Sequence, residues 1–324
     1  VPNPQQPSSP PKKDFSTITT TIKTLKDNQI PLSIAFGIES APLTHELSTG
    51  SGNFEGFEVA LFDEIIRRWQ ASLSLKVDKI KVDISTRHSS LNDKTADIVA
   101  AAIPQNDNNC YLSTTICNRI PYAIDELAIL TSISTTTTSS RPAISSTIQS
   151  QICLLLKQPN TVIAALKGTE GAKEAERVLT ECKELFTNKD RIKDYPNRQR
   201  AIEAVSIGEA VGYITYSKIL EYYKRSGQQV TTFSRTPSRA PSFPLNVSAM
   251  LRKDSQGLSD LIDITLTAIV ADGTYDSIVS SPPPKMSFVE IKKTIEPTQS
   301  NCKAMKDNWD IVKSPTPTKP LSLC

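Results

Sequence analysis

The stretch from Leu32 to Trp69 changes its hydrophobic period partway along, and that change constrains the fold more than any other feature of the chain. Leu32 to Ile38 is a short apolar run between Pro31 and a Gly37/Glu39 turn, which suits a buried parallel strand. From Val59 the spacing becomes helical: Val59, Phe62, Ile66 and Trp69, with Leu61 and Ile65, form one wide apolar stripe. Glu55 and Glu58 lie in or just before the first helical turn and Arg67 and Arg68 in the last, as the helix dipole favours. Gly56 admits backbone angles that other residues resist and suits the entry to the helix. Strand, polar loop, helix is the opening of an α/β domain.

The same reading carries down the chain. Thr17–Leu25 reads as a short helix, Leu73–Ile84 as a half-buried alternating strand, Ser89–Lys94 as a polar helix and Ala96–Pro104 as a buried strand. Asn106–Thr115 is a polar loop, and Ala123–Ser132 is a strand leading into an exposed Ser/Thr tract, Ser134–Ser140. A second α/β unit follows. Gln151–Leu156 reads as a buried strand, and Pro159-Asn160-Thr161 as the start of a helix whose apolar run is Val162–Leu166. Helices are expected over Glu170–Leu185, Arg198–Ile207 (stopped by Gly208) and Ile219–Lys224, with strands over Ala210–Tyr216, Gly227–Phe233 and Leu245–Leu251. Leu258–Val270 is a helix closed by Asp272-Gly273. Val1–Asp14 is Pro/Ser-rich and reads as a disordered leader or tether; from Pro282 the chain is again Pro- and Ser-rich, apart from a helix around Ser287–Lys293.

Composition excludes several functions. A chain of 324 residues makes one large or two ordinary domains. A net charge of +3, without a Lys/Arg run interleaved with aromatics, gives no footprint for nucleic acid. No apolar run approaches the ~18 residues that span a bilayer. The chain starts at Val1, which suits a processed form and is compatible with a removed signal segment. His45 and His88 have no metal-ligand spacing, and there is no Cys-x-x-Cys, G-x-S-x-G or phosphate-binding Gly loop. Gly168–Gly171 reads as a helix-breaking turn. The expectation is a binding protein with no enzymatic activity, no cofactor and no metal.

Five stretches, LSIAFGIES, NFEGFEVALFDEIIRRW, DKTADIVAAAIP, AIEAVSIGEAVGYITY and NVSAMLRKDSQGLSDLIDITLTAIVADGTYDSIVSS, occur in an order that resembles the type II extracytoplasmic solute-binding proteins of the amino-acid (family 3) kind. The ligand-binding cores of ionotropic glutamate receptors share that fold. The resemblance, from about Leu32 to Ser281, implies an α/β protein of two lobes joined by two hinge strands, with a discontinuous first lobe. After a leader at 1–16, lobe 1 would take 17–124 and a return segment 247–288, lobe 2 would take 125–246, and 289–324 would be a tail. The strands crossing between lobes would lie near Ala123–Leu130 and Phe243–Leu251. A small ligand would sit between the lobes, where helix N-termini suit an anion.

Against that family the chain departs at the ligand. Pro104–Ser113 contains no Arg where the family clamps the ligand carboxylate, and Arg119 is the nearest substitute. Tyr216 falls where the family places the Asp that binds the ligand ammonium, and Val211 where it places a structural Asp. Ser40-Ala41-Pro42-Leu43 replaces an aromatic segment, and Asn160-Thr161 falls at the lobe-2 helix start; Gly56, Phe57 and the acid at Glu58 are kept. The resemblance thus implies a ligand set of Glu39, Ser40, His45, Ala101, Ala102, Asn106, Arg119, Asn160, Thr161 and Tyr216, and a free α-amino acid is not the first expectation. Each also has a plainer reading: Arg119 as a solvated or hinge ion-pairing residue, His45 as an exposed loop residue, Tyr216 as packing, Asn160 and Thr161 as a cap, and Glu39 and Glu46 as solvated acids instead of cation ligands. Outside the cytoplasm the six cysteines, an even set, would pair; of fifteen connectivities the neighbours Cys110–Cys117, Cys153–Cys182 and Cys302–Cys324 are favoured, with Cys153 alternatively a small hydrophobe in its strand. Asn246-Val247-Ser248 fits a glycosylation sequon at a strand position. The function implied is a monomeric periplasmic or extracellular protein, with or without a membrane tether, that hands a small ligand to an ABC-type permease. The alternatives are a receptor ectodomain coupled to signalling domains and a binding-deficient interaction module.

Overall fold

The structure, a computed structural model, describes residues 13–27, 30–106, 110, 112–131, 153, 156, 161–182, 191–225, 232–235, 245–280 and 299–313. The Ser134–Ser140 tract, Asn160, the helix read around Ser287–Lys293 and Cys324 lie outside them.

In chain order the first lobe contains α1 (Ile18–Lys26), β1 (Leu32–Gly37), the short strands β2 (Glu39–Ser40), β3 (Thr44–Glu46) and β4 (Phe54–Glu55), then α2 (Phe57–Ser72), β5 (Val77–Val82), α3 (Arg87–Asn92), β6 (Ile98–Pro104), β7 (Thr115–Cys117) and β8 (Ala123–Asp125). Thr17 caps α1 through a reciprocal hydrogen-bonded box with Thr20. Gly56 enters α2 at φ 128°, and the carbonyls of Pro42 and Leu43 accept from Phe57 N and Glu58 N at 3.1 and 2.8 Å. A Cβ at Gly56 would lie 2.5 Å from the Leu43 carbonyl oxygen, so glycine is required at this turn. The α2 stripe read from the sequence is buried, and so is Arg68, which the periodicity placed in an ordinary last turn.

The second lobe contains β9 (Leu127–Thr131), β10 (Ile163–Ala165), α4 (Glu170–Glu181), β11 (Ile192–Asp194), α5 (Arg198–Ser206), β12 (Gly212–Tyr216), α6 (Ser217–Arg225) and β13 (Thr232–Arg235). Its sheet runs β11-β10-β12-β9-β13, with β10 parallel to β11 and β12, and β9 antiparallel to β12 and β13. Three expectations are corrected here. The run Val162–Leu166 holds the buried strand Ile163–Ala165 and not the start of a helix, because an apolar stretch this short satisfies either period and its partners on both sides are strands. The helix after it starts at Glu170, where the Thr169 hydroxyl accepts from Ala172 N at 3.2 Å, so the lobe-2 helix start is Gly168-Thr169 and not Asn160-Thr161. Cys153, read as part of a strand, is helical.

The chain returns through β14 (Leu245–Arg252), α7 (Gln256–Ala271) and α8 (Thr274–Ser280), followed by α9 (Gln299–Asp307) and α10 (Trp309–Val312). β14 lies antiparallel to β6, β7 and β8 inside the first lobe's six-stranded sheet, whose parallel members are β5, β1 and β6. Lobe 1 is therefore discontinuous, and the paired strands β8 and β14 adjoin the crossing at Glu126. Asp125 in that crossing is buried and accepts from Ser217 Oγ at 2.7 Å and Glu126 N at 2.8 Å; burial pushes its pKa up to about 6.

Neither end behaves as a loose tail over its described part. Lys13 Nζ donates to Asp97 Oδ2 at 2.6 Å and Phe15 is 3% exposed, so the leader expected over 1–16 is docked from Lys13 onward. The tail expected to be peripheral after about Pro297 forms α9 and α10, which bury Met305 and Val312 in the lobe-1 core. Between the lobes, side chains are exchanged: Ile84 of lobe 1 packs on the lobe-2 core, while Tyr216 and Ile219 of lobe 2 belong to the lobe-1 core.

Candidate functional site: the cleft between the lobes

A cavity of about 570 Å³ opens between the lobes. Lobe 1 supplies the end of β1 with Glu39 and Ser40, the loop after β5 with Asp83 and Ser85, and Ala101 of β6; lobe 2 supplies Lys167 after β10 and Asp194 at the end of β11. Apart from Ala101, which lies within β6, these are strand ends and the segments that follow them, where open α/β sheets gather ligands. Asp83 accepts from Thr86 Oγ1 at 2.8 Å and Ser85 Oγ at 2.9 Å, which hold its carboxyl below the usual range. Burial raises the Glu39 pKa, opposed by its hydrogen bond and charge contact with Arg198. Three acidic residues, Glu39, Asp83 and Asp194, and one lysine, Lys167, thus line the cavity, with Glu39 partly offset by Arg198.

Two arginines bridge the lobes beside it. Arg198, 2% exposed at the start of α5, donates to the Glu39 main-chain oxygen, and its Nε lies 3.4 Å from Tyr213 Oη. Arg87 Nη2 of α3 donates to the Gly168 carbonyl at 3.1 Å. The lobes meet around the cavity through these contacts.

Of the expected ligand set, Glu39, Ser40 and Ala101 line the cavity, and His45 lines a neighbouring chamber. Ala102 turns its N–H away, donating to both Glu58 carboxylate oxygens at 3.1 and 2.9 Å with its backbone at φ 52°. Asn106 is half-buried and its carbonyl accepts from Cys110 N at 2.8 Å. The Thr161 carbonyl accepts from Arg191 at 2.9 Å, and Tyr216 is buried at the end of β12. Arg119 is held elsewhere: its N–H donates to Asp263 of α7 at 3.1 Å and its guanidinium, 72% exposed, pairs with Asp260 at 3.4 Å. The sequence reading passed over Asp83, Ser85, Lys167, Asp194 and Arg198. Reading a strand ahead of the helix expected from Glu170 would have ended that strand near Leu166-Lys167 and pointed there.

Behind the cavity wall lies Glu58, fully enclosed, also accepting from Tyr122 Oη at 2.6 Å. Burial pushes its pKa up to about 7. The folded state then binds this proton more tightly than the unfolded chain, so its contribution is complete below about pH 4.5 and is lost as pH rises to about 7, a change of about 3 kcal/mol. Glu58→Gln keeps an acceptor for Ala102 N and cannot ionise. In urea titrations the variant should gain stability relative to wild type on going from pH 5 to pH 8; an unchanged difference across that range would show that Glu58 is not titrating there.

Two lobes, a crossing strand pair and a cavity walled by both define a hinged binding protein. The defining pattern of the bacterial extracellular solute-binding proteins, family 3, matches residues 32–281, and the chain belongs to that family. Comparison with curated proteins gives no match. Among solved structures the chain is similar to an ancestral amino acid-binding protein, a precursor of cyclohexadienyl dehydratase (20% identity, TM-score 0.60, covering 82% of this chain and 98% of that one). It is also similar to the substrate-binding protein of an ABC uptake transporter from Streptococcus pneumoniae, solved with histidine (15%, TM-score 0.61, 80% and 94%). A third is an arginine transport periplasmic binding protein from Legionella pneumophila (20%, TM-score 0.57, 78% and 99%). At these identities the likeness is one of fold.

Two of the expected disulfides are present, Cys110–Cys117 and Cys153–Cys182. Cys302 is also disulfide-bonded, and the partner expected for it, Cys324, lies outside the described residues. Among the described residues no helix is long and apolar enough to cross a membrane and no group of His, Cys, Asp and Glu is arranged to hold a metal ion.

Proposed function

We propose that this chain is a periplasmic or extracellular solute-binding protein that captures a small amino-acid-like molecule between its lobes and delivers it to an ABC-type transporter, acting by binding and not by catalysis. The observation that carries this is the 570 Å³ cavity walled by strand ends of both lobes, a size that suits a small ligand and a position that couples its capture to lobe closure. Disulfides fit an oxidising compartment. The ligand site is non-standard for the family. Arg119 is committed to α7, and the N–H groups that open α2 are satisfied by Pro42 and Leu43, so neither offers a carboxylate clamp. With Glu39, Asp83 and Asp194 facing Lys167, the cavity favours a ligand with net positive charge.

Calorimetric titration with arginine, histidine, glutamine, glutamate and cystine tests this. Basic amino acids should bind more tightly than neutral ones and glutamate most weakly, with dissociation constants above micromolar for the neutral and acidic set. Losing one partner of a desolvated charge pair costs about 2–5 kcal/mol, or about one and a half to three and a half decades in affinity. A sub-micromolar constant for glutamate would overturn the non-standard site, and no binding by any of them would overturn the amino-acid reading.

A further inference from the structure

Beyond the Glu39–Arg198 bridge lies a second chamber of about 360 Å³, between the β2–β4 sheet of lobe 1 and the helices α5 and α6 of lobe 2. One side of it is a row of rings. The centroids of His45 and Tyr222 are 5.9 Å apart at an interplanar angle of 52°, and those of Tyr222 and Tyr223 are 5.6 Å apart at 84°. Glu39 and Glu46 also line it, and Arg198 is the one lining side chain with a permanent positive charge. That guanidinium is engaged by the Glu39 backbone and Tyr213. Burial keeps His45 below the usual histidine range, against the pull of Glu55 at 3.9 Å. Two carboxylates line the chamber with that one guanidinium: Glu39 Oε2 accepts from Arg198 N at 3.4 Å, and Glu46 Oε1 accepts from Gly52 N at 2.8 Å with Lys81 nearby.

Ring faces carry negative quadrupole potential and combine with carboxylates to hold large, weakly hydrated cations. A bare metal ion needs converging donors, which are absent among the described residues. A carboxylate or phosphate would meet like charge. We propose that this side chamber takes the methylated ammonium end of an organic cation, seated against Tyr222 and Tyr223 and balanced by Glu39 and Glu46. The assignment rests on the binding-protein reading in one respect, that a solute enters while the lobes are apart.

The probe is tetramethylammonium chloride, titrated against matched sodium chloride and followed by proton NMR of the two histidine rings, with His88→Gln assigning them. Saturable binding should move the His45 ring resonances and leave those of His88 in place. Tyr222→Ala should weaken the binding tenfold or more, while Tyr222→Phe, which keeps the π face, should stay within about twofold; circular dichroism of both variants checks that they fold. Movement of both histidines together, no saturable shift, or equal loss in the Ala and Phe variants would each overturn the chamber assignment. Amino acids that bind in calorimetry while His45 stays silent would sink this proposal and leave the cleft reading standing. A saturable His45 shift with no amino-acid binding would do the reverse.

Discussion

Replacing Arg68 with alanine is expected to lower the unfolding free energy by about 3–5 kcal/mol, the usual cost of removing one partner from a buried, hydrogen-bonded ion pair. Arg68 is fully buried in α2 and donates to Glu64 at 2.7 Å, Asp272 at 2.8 Å, Thr274 at 3.0 Å and the Val312 carbonyl at 3.0 Å. One guanidinium thus ties α2 to the end of α7, the start of α8 and the last turn of α10. Alanine leaves Asp272 Oδ2 enclosed without its counter-charge and opens a cavity. Arg68→Met restores much of the volume but not the charge, and adding Asp272→Asn should recover part of the loss. Urea denaturation measures the stability, and hydrogen exchange should show α9 and α10 losing protection before the rest of lobe 1. A loss below about 1 kcal/mol would mean that the network is not closed in solution.

Removing the Cys153–Cys182 bridge in a Cys153→Ser/Cys182→Ser variant is expected to cost about 3–4 kcal/mol, and removing Cys110–Cys117 about 2 kcal/mol, because the bonds close loops of 29 and 7 residues. The larger effect should fall on lobe 2, where Cys182 packs with Ile129, Leu156, Ile163, Val178 and Ile214. Alkylation without reductant, on protein from its native compartment, should find few free thiols; six reactive cysteines would refute the bridges outright.

The parts of the fold legible in the sequence were those with long or unambiguous patterns. The α2 stripe, the α7 helix with its Asp272-Gly273 stop, and β14 as a return strand emerged from periodicity and order, since each buries a whole face. Short runs misled. Val162–Leu166 carries no period long enough to separate strand from helix, and only its pairing with β11 and β12 decides. Of the terminal helices, α9 is mostly polar around the anchor Met305 and α10 is only four residues long, so neither marks an amphipathic pattern. At the cavity, Glu39 and Ser40 are reachable from the sequence because they follow the end of β1, and Ala101 because it lies in the adjoining strand β6. Arg198 is not, since nothing in a helix-starting Arg shows that it will reach across to another lobe. Arg119 is the nearest guanidinium in sequence to the missing clamp, and in the structure its side chain pairs with Asp260 and its N–H with Asp263, both on α7.

The side chains exchanged between lobes have a kinetic consequence. Ile84 sits on the lobe-2 core while Tyr216 and Ile219 sit on that of lobe 1, so each half plugs the other. Parting the lobes has to expose these apolar side chains to water, which raises the barrier between the arrangement seen here and a more open one.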